Sequence, residues 1–358
     1  MNAQSLFCPN SACPATGQVA EAKLSIHDRR RGRYRCTVCR RTFTARTGTP
    51  LAAKQTAPEI INRVVALVSH GCPITAIEAA FDLDRRTVRR WVTEAGNHAE
   101  RIHQHHVLQP RDIQHVQADE VRVKLQGTIV WMAMAVVATT HLWLGGSVSR
   151  QRNLALITAL LTLIQRSTVV IKRLLLVTDG LRHYRTAAQR VFRQPQRRGQ
   201  RGRPRLRRWP GLVLVQVVKM SQRNVWRPWS RTLIRQGKRI AWVLRRTPRS
   251  QVVSTAGIER LNATFRERCA PLARRTRHLA RHVATIQTQM YLVGTVYNFC
   301  TVHRSLQVTP AMAAGITDHH WSVGDLLAYR IPPPRWQPPR RRGRPSKATQ
   351  ALEKRWCR

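Results

Sequence analysis

Apolar and polar positions along the chain follow two periods, and each period implies its own kind of element. Between residues 55 and 100 the apolar residues recur at helical spacing. Ile60, Ile61, Val64, Leu67 and Val68 share one face of a first helix, Ile74 to Phe81 form a second, and Arg85 to Ala95 a third. Asp84 is the expected N-cap of the third helix. On that helix Val88, Trp91 and Val92 face inward while Arg85, Arg86, Arg89 and Arg90 face outward, as a helix lying in a DNA major groove requires. Asp82 stands in the tight turn where glycine is usual, and aspartate tolerates a left-handed conformation better than most residues.

From 112 to 300 strand-like and helix-like runs alternate. Ile113 to Leu125 reads as a strand, followed by strands at Ile129 to Val137 and Leu142 to Val148 and a helix at Leu154 to Ile164. Arg173 to Thr178 is a buried-type strand that closes on Asp179-Gly180. A strand, helix, strand crossover sets the later strand parallel to the first and beside it. Thr255 to Arg266 has a helical pattern that puts Glu259, Asn262 and Arg266 on one face.

Composition adds domain number and partner class. With 358 residues, 42% of them hydrophobic, the chain can bury a core and divide into two or three units. We read four zones: 1–50, 55–100, 112–328 with a basic insertion near 193–210, and a Pro/Arg-rich tail, 329–358, expected to be disordered. The net charge is +46, from 63 Lys and Arg against 17 Asp and Glu, and such an excess calls for a polyanion, nucleic acid above all. Met1 to Phe7 does not read as a leader, and the apolar runs Thr128 to Ala138 and Leu154 to Ile164 are too short to span a bilayer. An intracellular protein is therefore expected, in which the eight cysteines act as metal ligands or core thiols. Cys8-x4-Cys13 and Cys36-x2-Cys39 are two close pairs that can set four thiolates around a structural Zn²⁺, with His27 as an outside candidate.

Acids are so scarce that their positions carry information. Between 101 and 317 there are only Asp112, Asp119, Glu120, Asp179, Glu259 and Glu267. Asp119 within one strand and Asp179 at the end of another would lie side by side, and Glu259 would join them from its helix. Three carboxylates suffice to hold two Mg²⁺ (or Mn²⁺) ions, which prefer hard oxygen ligands and keep several waters. Glu267 is the rival third acid, Glu120 is expected to pair with arginines, and Arg266 is placed to bind a phosphate beside the metals.

These residues together resemble the DDE transposases of bacterial insertion sequences, in particular the insertion-sequence-one-like group with an N-terminal zinc ribbon and helix-turn-helix. The resemblance rests on the Cys pairs, Ala118-Asp119-Glu120, Val177-Thr178-Asp179-Gly180, Ile258-Glu259-Arg260-Leu261-Asn262 with Arg266, Leu272 to Thr276, and Tyr297 to Pro310. It implies an α/β, RNase H-like catalytic core, a mixed sheet flanked by helices. Catalysis would rest on Asp119, Asp179 and Glu259, and the N-terminal modules would bind terminal inverted repeats. Double-stranded DNA, at the element ends and in the target, would be the substrate of a homo-oligomer in the bacterial cytoplasm. Asn262 and Arg266 would contact that DNA. A regulator descended from a transposase and a structure-specific nuclease of the same fold are the alternatives. Thr301-Val302 departs from the family pattern, as does the long gap between Asp179 and Glu259. Arg201 and Arg203 in the insertion, and Arg342 and Arg344 in the tail, lie in Arg-Gly-Arg-Pro motifs that resemble AT-hooks of the minor groove.

Overall fold

The computed structural model describes residues 6–18, 24–169, 173–196, 202–222, 225–234, 238–245, 253–273, 279–338 and 343–357. It divides into two compact units, 1–61 with 327–358, and 62–326. The first begins with a three-stranded antiparallel sheet, β1 (Leu24–Asp28), β2 (Arg33–Cys36) and β3 (Thr42–Thr44). Three helices follow in sequence, α1 (Pro58–Ser69), α2 (Ile74–Phe81) and α3 (Arg85–His106). Asp82 ends α2 in the left-handed region at φ 50°, and Asp84 caps α3 by accepting from the backbone N–H groups of Arg86 and Thr87.

The third helix does not stop near residue 95. It runs for 22 residues, and its second half buries Ala95, Gly96, His98, Ala99, Ile102 and His103. These pack against the helix Val283–Cys300, where Gly96 allows the two backbones to touch at Thr288. The expected division between 55–100 and 112–328 is therefore not a boundary in the fold. Residues 62–326 form one unit.

That unit is built on a mixed six-stranded sheet. Its elements are β4 (His115–Leu125), β5 (Thr128–Val137), β6 (Trp143–Ser149), α4 (Leu154–Ser167), β7 (Leu174–Thr178), α5 (His183–Val191), a small ribbon of β8 (Arg193–Gln196) and β9 (Arg205–Arg208), β10 (Leu212–Gln222), β11 (Val225–Ile234), α6 (Lys238–Arg245), α7 (Ala256–Arg268), a 3₁₀ turn (Ala270–Leu272), α8 (Val283–Cys300), α9 (Pro310–Ala313) and α10 (Val323–Ala328). The sheet order is β11-β10-β7-β4-β5-β6. β4, β5 and β6 form an antiparallel meander, β7 is parallel to β4, and β10 is parallel to β7. β11 returns antiparallel at the edge, where a strand tolerates Pro228. The main core joins Val121, Val123, Met132, Met134 and Trp143 of the meander to Ile258, Leu261 and Phe265 of α7 and to Ile286, Met290 and Val293 of α8. Asn298 of α8 is wholly buried and ties itself to the β6 backbone, accepting from the Trp143 N–H and donating to the Trp143 carbonyl, both at 2.9 Å.

The tail corrects an expectation. Ser346 caps a helix, α11 (Lys347–Trp356), and the Trp356 ring is buried in the same core as Cys8, Cys13, Cys36 and Phe43, with Trp336 against it. Arg330 lies over the rings of Phe7 and Phe43 and donates to the Phe7 carbonyl at 2.9 Å. Proline and arginine richness suggested disorder because such residues bury little. Two tryptophans supply the apolar surface that the rest of the segment lacks.

Candidate active site

Register on the sheet brings the first two acids together. β4 and β7 run parallel with Gln117 opposite Val177 and Ala118 opposite Thr178, so Asp119 follows that pairing on β4 and Asp179 follows it just past the end of β7. Glu120 follows Asp119 and is buried. Carboxylate oxygens of Asp119, Glu120 and Asp179 all lie within 4.8 Å of one another.

The third predicted acid arrives on α7, which is docked onto β4 by two devices. The Gln117 side chain accepts from the Ile258 N–H at 2.9 Å, and Gly257 lets the helix approach so closely that a Cβ there would lie 2.6 Å from Gln117 Oε1. One turn on, Asn262 is buried and donates to Asp119 Oδ2 at 2.8 Å, while the Glu120 N–H donates to Asp119 Oδ1 at 2.8 Å. Glu259 accepts from the Thr255 hydroxyl at 3.0 Å. Asp119, Asp179 and Glu259 line one cavity of about 260 Å³ with Gly180, Val217, Val218 and Thr255. Glu259 stands outside the tight group of three carboxylates, and Glu120 stands within it. Glu267 is exposed and lies eight residues, roughly 12 Å, further along the helix axis, too far to replace Glu259. Arg266 is half-buried, one residue short of Glu267.

Like charges crowded in a half-buried place shift their own equilibria. Burial pushes the Asp119 carboxyl up, assisted by the charges of Asp179 and Glu259 and opposed by the backbone N–H of Glu120. Burial also pushes Glu120 up to about 7, with the Asp179 charge acting the same way and hydrogen bonds from Tyr184 and Arg152 acting against it. Arg152 was not singled out by the sequence. Its Nε and Nη2 donate to Glu120 Oε2 at 3.0 and 2.7 Å, and Nη2 also donates to Asp179 Oδ2 at 2.9 Å. Asp179 keeps its other oxygen for the turn that follows, accepting from the Leu181 N–H at 3.1 Å. Tyr184 on α5 is fully buried beside Glu120.

The four cysteines also converge. Cys8 Sγ lies 3.6 Å from Cys39 Sγ and Cys13 Sγ 3.9 Å from Cys36 Sγ, and the four sulfurs fall within 4.8 Å of one another. A tetrahedron of Zn–S bonds of about 2.3 Å requires sulfurs about 3.8 Å apart, whereas a disulfide needs about 2 Å. The spacing therefore fits a zinc ion. His27 is exposed on β1 and outside the cluster.

Among the predicted DNA contacts, Arg86, Arg89 and Arg90 are exposed on α3. Arg85 is exposed but grips Glu78 of α2 at 2.6 and 2.8 Å, so it braces the two helices. Arg203 and Arg344 are exposed, whereas Arg201 and Arg342 lie outside the described residues, as do residues 274–276 of the Leu272 to Thr276 motif. Among the described residues no helix is long and apolar enough to cross a membrane. No protein-family model matches the chain, and no curated protein matches it.

Proposed function

We propose that this chain is a DNA transposase that cuts phosphodiester bonds at the ends of an insertion sequence and transfers the freed 3′-hydroxyl into target DNA. The observation that carries this reading is the meeting of Asp119, on one strand, and Asp179, just past the end of its parallel neighbour, with Glu259 in one cavity, in a chain with a net charge of +46. An antiparallel meander extended by two parallel strands on the side of its first strand supports an RNase H-like core. The donor set is all carboxylate oxygen, which suits Mg²⁺ or Mn²⁺ and not a soft metal. Two such ions, when bound by Asp119, Asp179 and Glu259, supply an activated attacking oxygen and stabilise the leaving one. The chain's own residues prepare the place. Asn262 fixes the orientation of Asp119, Gln117 sets the depth of α7, and Thr255 holds Glu259. The exposed arginines of α3, with Arg203 and Arg344, offer phosphate contacts along double-stranded DNA, terminal inverted repeats included. A homo-oligomer that holds two element ends, working in the bacterial cytoplasm, completes the proposal, with zinc on the four cysteines as a structural ion.

The test is a cleavage and strand-transfer assay with Mg²⁺ or Mn²⁺ on labelled DNA that carries the sequences flanking the gene. Wild type is compared with Asp179→Asn, which keeps the shape and removes a charge. Cutting and joining by wild type alone is the expected result. Cutting without joining would favour a structure-specific nuclease. Binding without cleavage by either protein would favour a regulator and overturn the proposal.

A further inference from the structure

Arg152 sits among the acids in a way that catalytic geometry alone does not require. Its guanidinium bridges Glu120 Oε2 at 2.7 Å and Asp179 Oδ2 at 2.9 Å, two members of the group whose oxygens lie within 4.8 Å. It is thus a cation already seated on oxygens that a divalent ion would need. Its hold is divided. Glu120 receives two of the three hydrogen bonds, the face of the Trp131 ring lies 4.9 Å away, and Asp179 receives a single bond. The side chain is 34% exposed, so it can leave Asp179 without disturbing the core.

The burial of Glu120 is a second observation that points to a cation at this place. The Glu120 side chain is fully buried within the tight group of three carboxylates, with the wholly buried hydroxyl of Tyr184 beside it as a hydrogen-bonding neighbour. A carboxylate buried beside two others costs stability unless cations offset the charge. Arginine cannot be deprotonated and brings a single charge, so it only partly offsets three crowded carboxylates. A divalent ion offsets them better.

We propose that Arg152 is the resident cation of this acid cluster in the metal-free chain, and that an incoming divalent ion displaces it from Asp179 and takes Glu120 as a ligand beside Asp119 and Asp179. This rests on the reading of the cavity as a divalent-metal site. In the exchange no covalent bond changes: one Asp179–guanidinium hydrogen bond is surrendered, and the carboxylate oxygens turn to the ion while Arg152 keeps Trp131 as its station. The arrangement spares the acids from facing one another bare before the ion arrives. It also lowers the apparent metal affinity, because the binding-competent state must first be populated.

The experiment titrates Mn²⁺ into the zinc-loaded full chain, followed by calorimetry and by electron paramagnetic resonance of free Mn²⁺. Wild type is compared with Arg152→Gln, Arg152→Lys, Trp131→Phe and Asp179→Asn. Arg152→Gln is expected to bind Mn²⁺ about ten-fold more tightly, the size of one charge-assisted hydrogen bond no longer given up. Its melting temperature without Mn²⁺ should be lower than that of wild type and should rise more on adding the ion. Arg152→Lys, which keeps the charge but loses the fork, should fall between the two and serves if the glutamine variant does not fold. Wild type should show a Mn²⁺-dependent change in tryptophan fluorescence that Trp131→Phe loses. Equal or weaker binding by Arg152→Gln, with Asp179→Asn still impaired, overturns the displacement and leaves the metal site standing. If neither wild type nor Arg152→Gln binds Mn²⁺, the metal reading fails and the inference fails with it.

Discussion

Asn262 has two physically different uses, and one substitution separates them. Its amide donates to Asp119 Oδ2 at 2.8 Å, and the residue is buried, which makes it a positioning group for the acid. Its place one turn beyond Glu259 on the same helix face also suits a DNA contact, the role implied by the family resemblance. Positioning partners of metal-binding carboxylates typically matter by about 10- to 100-fold in activity or metal affinity. Asn262→Ala is therefore expected to slow cleavage by about that factor while leaving the affinity for DNA unchanged. A loss of DNA affinity with cleavage of the bound complex intact would mean that the amide serves the nucleic acid. At this scale the sequence was most legible for acids, because they are few. Arg152 was hidden by the opposite circumstance: among so many arginines nothing marks the one whose partners are two acids distant in sequence.

Among the elements, the strands of the meander and the parallel return of β7 follow directly from alternation and from the crossover rule. The length of α3 does not. Its second half reads Asn97-His-Ala-Glu-Arg-Ile-His-Gln-His-His106, which looks too polar for a core. A neutral imidazole is tolerated inside when it has a partner, and His103 Nε2 donates to the Leu144 carbonyl at 3.1 Å, packed between the rings of Trp143 and Tyr291. Burial pushes His103 down to about 3, and it pushes His106 and His115 down to about 4. Each of these bases stays neutral in the fold and takes up a proton when the chain opens below its ordinary value near 6.5. Unfolding then binds protons, so the stability they confer is complete above about pH 6.5 and is lost progressively as pH falls towards 4 and below. The melting temperature should drop through this window. His103→Gln, which keeps a donor for Leu144, should show a shallower drop, by about one proton. Parallel pH profiles for the two proteins would exclude His103 as a source of acid sensitivity.

On the scale of the whole molecule, the N-terminal cysteines and the C-terminal tail belong to one small unit, a pairing that no local pattern announces. One core cluster of that unit is Cys8, Cys13, Ala15, Cys36, Phe43 and Trp356, with Leu24, Tyr34, Cys39 and Trp336 packed against it. A cluster of that size contributes little to folding by itself, and a structural zinc would add free energy to it. Burial pushes the Cys8 thiol far up and Cys13 up to about 11, so zinc must expel protons to bind and its affinity should rise with pH. Removing the metal with a chelator then has a definite spatial signature in amide hydrogen exchange. Protection should vanish together in Leu24–Thr44 and in Lys347–Trp356, because both depend on the same core, while β4 and β5 keep theirs on a core built without these cysteines. If the tail helix kept its protection while the N-terminal strands lost theirs, Trp356 would be an adornment of the zinc core. If both are lost at once, the tail is a structural part of it, and truncating the chain before Trp336 should weaken zinc binding even though every ligand remains.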